Sequence, residues 1–279
     1  MDDKKKYLEL NEYSEELSKS SEEKIILCDK LTSVQVLTLC LNGNTEHIVQ
    51  KSNVLIDAEL ELSSYSLKSP EVFIKYPLSV ITGIEKPSDE TEKEAAGLSK
   101  FLTVPSDKED VLDDLEAYMG EHCKRSSVIA DIRVAADELI SNCLYNAPYV
   151  NEANSNSNVS RDYSNISIDP DKKPHMFAGH DETRAIIGCK DLYGKLNVNK
   201  LIERIKMCYI NNPGQMINYK AGGAGIGSFM IFDSCMSFYV AVDPNKSTTL
   251  CCTFPLKMSA KERDEVPKNV HIILNPASQ

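Results

Sequence analysis

The sequence predicts an α/β protein, and three observations predict it. Short period-two runs fill the first third, the apolar period lengthens toward 3.6 residues beyond residue 98, and the last apolar stretch alternates about a tight turn. The early runs are KIILCD, VQVLTLCL, NVLIDAELEL and EVFIKYPLSVITGI, broken by NGN, KSN and SLKSP. Read as four strands, they make a smaller strand-rich N-terminal unit that ends near Ile84, after a polar lead-in over 1–22. The charged segment EKPSDETEKEAAG at 85–97 reads as a linker or surface helix, so this unit spans 23–97.

A second unit is expected over 98–257, with a tail at 258–279. In SDKEDVLDDLEAYMGEHC, Ser106 reads as a helix N-cap with Glu109 three residues on, and Val111, Leu112, Leu115 and Met119 form one apolar face. The next helix starts at capping serines 126 and 127 and runs toward Pro148, which cannot continue it. Residues 151–181 are dominated by Asn, Ser, Asp and Pro and read as a long connection with room for a short strand. TRAIIGCKDLYGKL then gives an apolar run ending in Asp191, VNKLIERIKMCYI a helix, and SFYVAVDPNKSTTLCCTFPL a hairpin turning at Asp243-Pro-Asn-Lys.

Composition narrows the function. With 42 acidic and 31 basic side chains the net charge is -11, a field that repels phosphate backbones and anionic membrane surfaces, so neither nucleic acid nor membrane is expected as partner. No stretch approaches the ~18 apolar residues of a membrane span and the first residues carry no secretory core, so the expected location is the cytoplasm. Nine cysteines, mostly inside apolar runs, read as buried reduced thiols, and five histidines form no HExxH or HxxxH pair.

Three constellations carry candidate chemistry. On the helix through Asp137, the residues Ile132, Ala136, Leu139 and Cys143 should face the core, while Glu138, Asn142 and Asn146 make a polar stripe beside them. A carboxylate one turn from a carboxamide offers a base and a hard-cation ligand, although such a stripe is also ordinary solvated surface. Asp191, at the end of its run and followed by Gly194, can accept from an exocyclic amine, or can simply close a turn. The cluster Gly222-Gly223-Ala224-Gly225-Ile226-Gly227 lets backbone N–H groups approach phosphate oxygens before a helix start. It is neither a P-loop, for want of the lysine, nor a Rossmann turn, because Ser228 replaces the third glycine.

In this order the three resemble the GHKL, or histidine-kinase-like, ATPase family, and within it the anti-sigma-factor serine-kinase-like branch. FLTVPSDKEDVLDDL matches the opening, ELISNCLYNA the Asn box, DLYGKL the aspartate box and GGAGIGSFMIF the glycine box, covering about residues 100–257. The resemblance implies a Bergerat-type two-layer α/β sandwich, helices on a mixed sheet, with ATP or ADP held between the Asn-bearing helix and a lid. It implies Asn142 as the Mg2+ ligand, Glu138 as general base, Asp191 with Gly194 at the adenine, Asn146 beside the nucleotide, and Gly222, Gly223, Gly225 and Gly227 along the phosphates with Lys220 as a charge partner. Tyr193 and Lys195 stand where the aspartate box carries glycines, and Asn146 where that branch carries His. The function implied is a cytoplasmic partner-switching regulator that binds ATP·Mg2+ and acts on a protein partner as a Ser/Thr kinase-like enzyme, with homodimerisation left open. The alternative is a degenerate module that serves as a regulatory interaction scaffold without catalysis.

Overall fold

The structure, a computed structural model, describes residues 7–14, 16, 22, 24–42, 45–149, 167–211 and 226–276. Nine strands form one mixed sheet: β1 (Leu8–Glu9), β2 (Ile25–Cys28), β3 (His47–Gln50), β4 (Leu98–Phe101), β5 (His175–His180), β6 (Arg184–Asp191), β7 (Ser237–Asp243), β8 (Ser247–Pro255) and β9 (Asn269–Leu274). Their order is β1-β2-β3-β9-β7-β8-β6-β5-β4. The β1–β2, β2–β3 and β7–β9 pairs are parallel and the rest antiparallel.

The helices are α1 (Ser33–Cys40), α2 (Ile56–Lys68), α3 (Pro70–Lys75), α4 (Pro77–Ile81), α5 (Asp89–Ala95), α6 (Asp107–His122), α7 (Ser126–Ser141), α8 (Val198–Asn211), α9 (Ile226–Ser234) and α10 (Ala260–Asp264). One apolar cluster joins α1, α6, α7, α8 and α9 to one sheet face; a second joins α2, α3 and α4 to the other. Neighbouring strand residues divide between them, as with Ile187 and Ile186, Val240 and Tyr239, or Cys252 and Cys251. Covering both faces explains why β6 and β8 are buried along nearly their whole length instead of at every second residue. The α/β sandwich expected from the sequence is therefore present, but the second face is covered as well.

The strand-rich expectation for residues 23–97 is corrected, because three of its four runs are helical. VQVLTLCL forms α1, opened by a capping box between Thr32 and Gln35, and buries Val36, Leu37, Leu39 and Cys40, so it shows no amphipathic period. NVLIDAELEL alternates in sequence, yet in α2 the buried residues are Glu59, Leu62, Ser63 and Ser66, a helical stripe made mostly of polar side chains. EVFIKYPLSVITGI is preceded by Pro70 and cut by Pro77, each at the start of a short helix, where a missing N–H costs nothing. The tail is corrected too: Asn269–Leu274 is β9, inserted between β3 and β7, and it joins β1–β3 to the rest of the sheet. By contrast α5, α6, α7, α8, the β7–β8 hairpin and a strand within 151–181 lie where the sequence puts them.

A buried polar cluster explains why α2 hides a carboxylate. Glu59, with no exposed surface, accepts at Oε1 from Ser237 Oγ (2.7 Å) and Tyr239 OH (3.2 Å), and Arg184 Nη1 stands 3.3 Å away. Its Oε2 lies 3.0 Å from His271 Nε2. Arg184 also donates to the Ile81 carbonyl (2.6 Å) and to Asp181 Oδ2 (2.8 Å). Burial pushes the Glu59 carboxyl up, but His271, Arg184 and Ser237 outweigh it and hold it below the ordinary glutamate value. Replacing Glu59 by Ala removes one of the two carboxylates that answer buried Arg184 and strips Ser237 and Tyr239 of their acceptor, so unfolding in urea should show a loss of about 3–5 kcal/mol.

Candidate functional site

The candidate site is organised by α7. Val128, Ile132, Ala135, Ala136, Leu139 and Ile140 are buried, and Cys143 and Leu144 continue that face, as the spacing predicts. Glu138, Asn142 and Asn146 lie half-buried along its border. Neither expected cap is used. Ser106 makes no cap bond; Asp107 Oδ2 instead accepts from the N–H groups of Thr103 (2.7 Å) and Val104 (3.0 Å), which lead into α6. Arg125 occupies the α7 N-cap, while Ser127 Oγ accepts from Arg263 (3.4 Å), which also pairs with Asp131 (2.7 Å).

At Asn142 the helix widens into a π-turn over Asn142–Asn146, closed by the Ala147 N–H donating to the Asn142 carbonyl. Pro148 has no N–H to offer Leu144, so the regular ladder stops there. Single π-turns of this kind are frequent at functional positions. Within it Asn146 Nδ2 donates to Asn142 Oδ1 at 2.7 Å, so the oxygen expected to hold Mg2+ faces a neighbouring amide.

Asp191 ends β6 and is buried. Its Oδ1 accepts from the N–H groups of Tyr193 (2.8 Å) and Gly194 (3.2 Å) in a tight turn. Burial pushes this carboxyl up despite those bonds and one from Thr248, its cross-strand partner on β8. Gly194 has φ 59°, and a Cβ there would overlap the Asp243 carbonyl; its own carbonyl accepts from Asn245 N–H at 3.1 Å. The aspartate turn and the hairpin turn are thus clasped together, in a fit that requires glycine.

Gly227 is the second residue of α9, and a Cβ on it would overlap the Glu138 carboxylate. Eighty-nine residues apart in sequence, the Asn-bearing helix and the end of the glycine cluster are therefore in contact. Burial, then Asp137, pushes the Glu138 carboxyl up, with Lys108 opposing, a direction that suits a base working near neutral pH. Lys108, which the sequence reading did not single out, reaches from α6 to Asp137 Oδ1 (2.5 Å) and Ser141 Oγ (2.9 Å). One turn further on, the π-turn packs against β6, with Cys143 and Cys189 buried in the same apolar cluster. Lys220, Gly222, Gly223 and Gly225 lie outside the described residues.

Between the π-turn and the aspartate turn runs a narrow cleft lined by Cys143, Leu144, Pro148, Ile168, Lys172 and Tyr193. Lys172 Nζ sits 4.7 Å from the Tyr193 ring centre and Lys195 Nζ 5.7 Å, so the tyrosine that replaces an expected glycine is a wall of the cleft. Among the described residues no group of three His, Cys, Asp or Glu could hold a metal. Glu138 and Asn142 offer two oxygen-bearing side chains, and the Asn142 oxygen already accepts from Asn146.

Fold and site define an α/β protein whose mixed sheet carries a polar-edged helix against a glycine-led helix start and a strand-end aspartate turn. No family model matches the chain, and no curated protein matches it. Among solved structures it is similar to a chain of the SiaB-SiaC complex from Pseudomonas aeruginosa, at 10% identity over 69% of this chain and 100% of that one, with a TM-score of 0.38. Among the described residues no helix is long and apolar enough to cross a membrane.

Substituting Gly194 by Ala should separate the two clasped turns and lower stability by roughly 1–3 kcal/mol in thermal unfolding. Substituting Gly227 by Ala should leave stability within about 1 kcal/mol, since helix propensity offsets the displaced side chain, while the Glu138 carboxyl resonance moves in an NMR titration.

Proposed function

We propose that this chain is a cytoplasmic signalling regulator of the GHKL type that binds ATP·Mg2+ between α7, the aspartate turn and the glycine-led start of α9, and acts on a protein partner. One observation supports this reading above the others: α7 meets α9 at Glu138–Gly227 and, with the π-turn that follows it, packs on β6, the strand that ends in Asp191. Three segments that share no local sequence are thereby gathered around one helix edge. In this reading Asp191 and Gly194 receive the adenine, Asn142 the metal carried by the phosphates, and Asn146 adjusts to release Asn142. Gly222, Gly223, Gly225 and Gly227 line the phosphates with Lys220. Where phosphoryl transfer occurs, Glu138 accepts the proton of a Ser or Thr hydroxyl on the partner as its oxygen takes the γ-phosphoryl group and ADP leaves.

A second reading, an interaction scaffold without nucleotide, draws support from a specific feature. The Asn142 and Asp191 oxygens are engaged within the protein, and Tyr193 walls the cleft.

Thermal unfolding with ATP or ADP and Mg2+ separates the two. Nucleotide at 100 times its dissociation constant should stabilise by about 2.7 kcal/mol, and absence of any shift favours the scaffold. Asp191→Asn keeps the acceptor of its turn, so it should fold and lose the nucleotide shift. Glu138→Ala should keep the shift and lose turnover; loss of binding in both variants would overturn these roles.

A further inference from the structure

The cluster at the β3–β9 seam contains a feature that the proposed site does not use. His47 of β3 and His271 of β9 are directly paired across the sheet, neither ring has exposed surface, and their Nδ1 atoms lie 3.1 Å apart. Ser63 Oγ of α2 lies 3.3 Å from His271 Nδ1 and gives its own proton to the Glu59 carbonyl at 2.7 Å. The hydroxyl is left to accept, so His271 Nδ1 is the donor and His47 Nδ1 the acceptor across the pair. Between the two rings there is room for one proton.

The surroundings are one-sided. Glu59, the carboxylate of the cluster, faces His271 from the far side of its ring, at Nε2. Tyr239 stacks on His271 with ring centres 4.8 Å apart, and Arg184 is turned to Glu59 and Asp181. His47 has no such counter-ion: the charges that act on it are His271 and Lys24, the latter paired with Glu46, and its Nε2, like that of His271, makes no aligned hydrogen bond among the described residues. A proton added at His47 Nδ1 would oppose two N–H donors at 3.1 Å inside a dry seam. The seam is also short. Its ladder registers His47 with His271 and Ile48 with Val270, and the bonds beside it are Gln50 N–H to Asn269 Oδ1 (3.0 Å), Gln50 Nε2 to the Lys268 carbonyl (3.0 Å), Asn53 Nδ2 to the Pro267 carbonyl (3.5 Å) and Ile272 N–H to the Glu46 carbonyl (2.7 Å).

We infer that the His47–His271 contact is a pH-sensitive lock, which holds β1–β3 on the sheet at neutral pH and releases that edge on acidification while β5–β8 stay paired. Burial, then His271, then Lys24, hold His47 well below the ordinary imidazole value. An opened seam takes up a proton that the closed one refuses. Closure is therefore fully favoured above about pH 6.5, the unperturbed histidine value, and weakens below it, by up to tenfold per pH unit for one proton.

Amide hydrogen exchange on the intact protein at about pH 7.5 and 5.5, corrected for intrinsic exchange, tests this. Residues 25–28 and 47–50 should lose up to tenfold protection across the window while 184–191 and 247–255 keep theirs. His47→Asn, whose amide oxygen can accept from His271 Nδ1, should make the edge insensitive to pH. An unchanged pH response in that variant would overturn the lock, and so would equal loss across all strands, which is global unfolding. If the variant does not fold, the wild-type protein still decides: flat protection at 47–50 overturns it.

Discussion

Glu59 reaches the sheet from a helix whose buried stripe is otherwise small and polar, and its carboxylate gathers Ser237 and Tyr239 of β7, Arg184 of β6 and His271 of β9. An ionised group in such a place is tolerable only if each lone pair meets a donor and each neighbouring charge is answered. That requirement ties α2 to the sheet at one point, because of the carboxylates of the helix only Glu59 is buried there, and its partners come from three different strands. The second helical layer is thus positioned by polar geometry, and apolar contacts such as Phe73 on Tyr239 fill in around it.

On the opposite face the logic is reversed. There α6, α7, α8 and α9 pack through an extended apolar cluster, and the polar groups sit along the border of α7 instead of under it. Glu138 is consequently half-buried and Asp191 buried, both dry enough for burial to push their carboxyls up, while Cys143 and Tyr193 line the cleft. Internal contacts occupy the site groups in this state: Asn146 on Asn142, a turn on Asp191, a glycine Cα on Glu138. A ligand entering here would have to replace interactions that already exist, so its affinity would report a difference between two sets of bonds.

Legibility in the sequence follows from how local each signal is. The apolar face of α6, the α7 stripe and the β7–β8 hairpin depend on spacing within one segment, and the residues show them directly. The runs that became α1 to α4 could not be read this way. Val36, Leu37 and Leu39 are buried all round, and α2 hides Glu59 and Ser63, whose partners lie on strands 125 or more residues away. β9 was missed because a short apolar run near the end of the sequence carries no hint that it fits between two distant strands. In the site, Glu138 and Asp191 announce themselves by position, whereas the Lys108 contact and the Gly194 clasp are tertiary and have no sequence signature.

The insertion of β9 has a consequence for how the chain is made. His47 and His271 are 224 residues apart, so during synthesis β3 exists long before the strand that covers its free side. Until then Ile48 and Val49 lie on an open edge, the kind of surface that pairs with the wrong partner. Such late, distant closure slows folding and prolongs the exposure of intermediates. The two parts of the sheet are therefore joined only once β9 has been made.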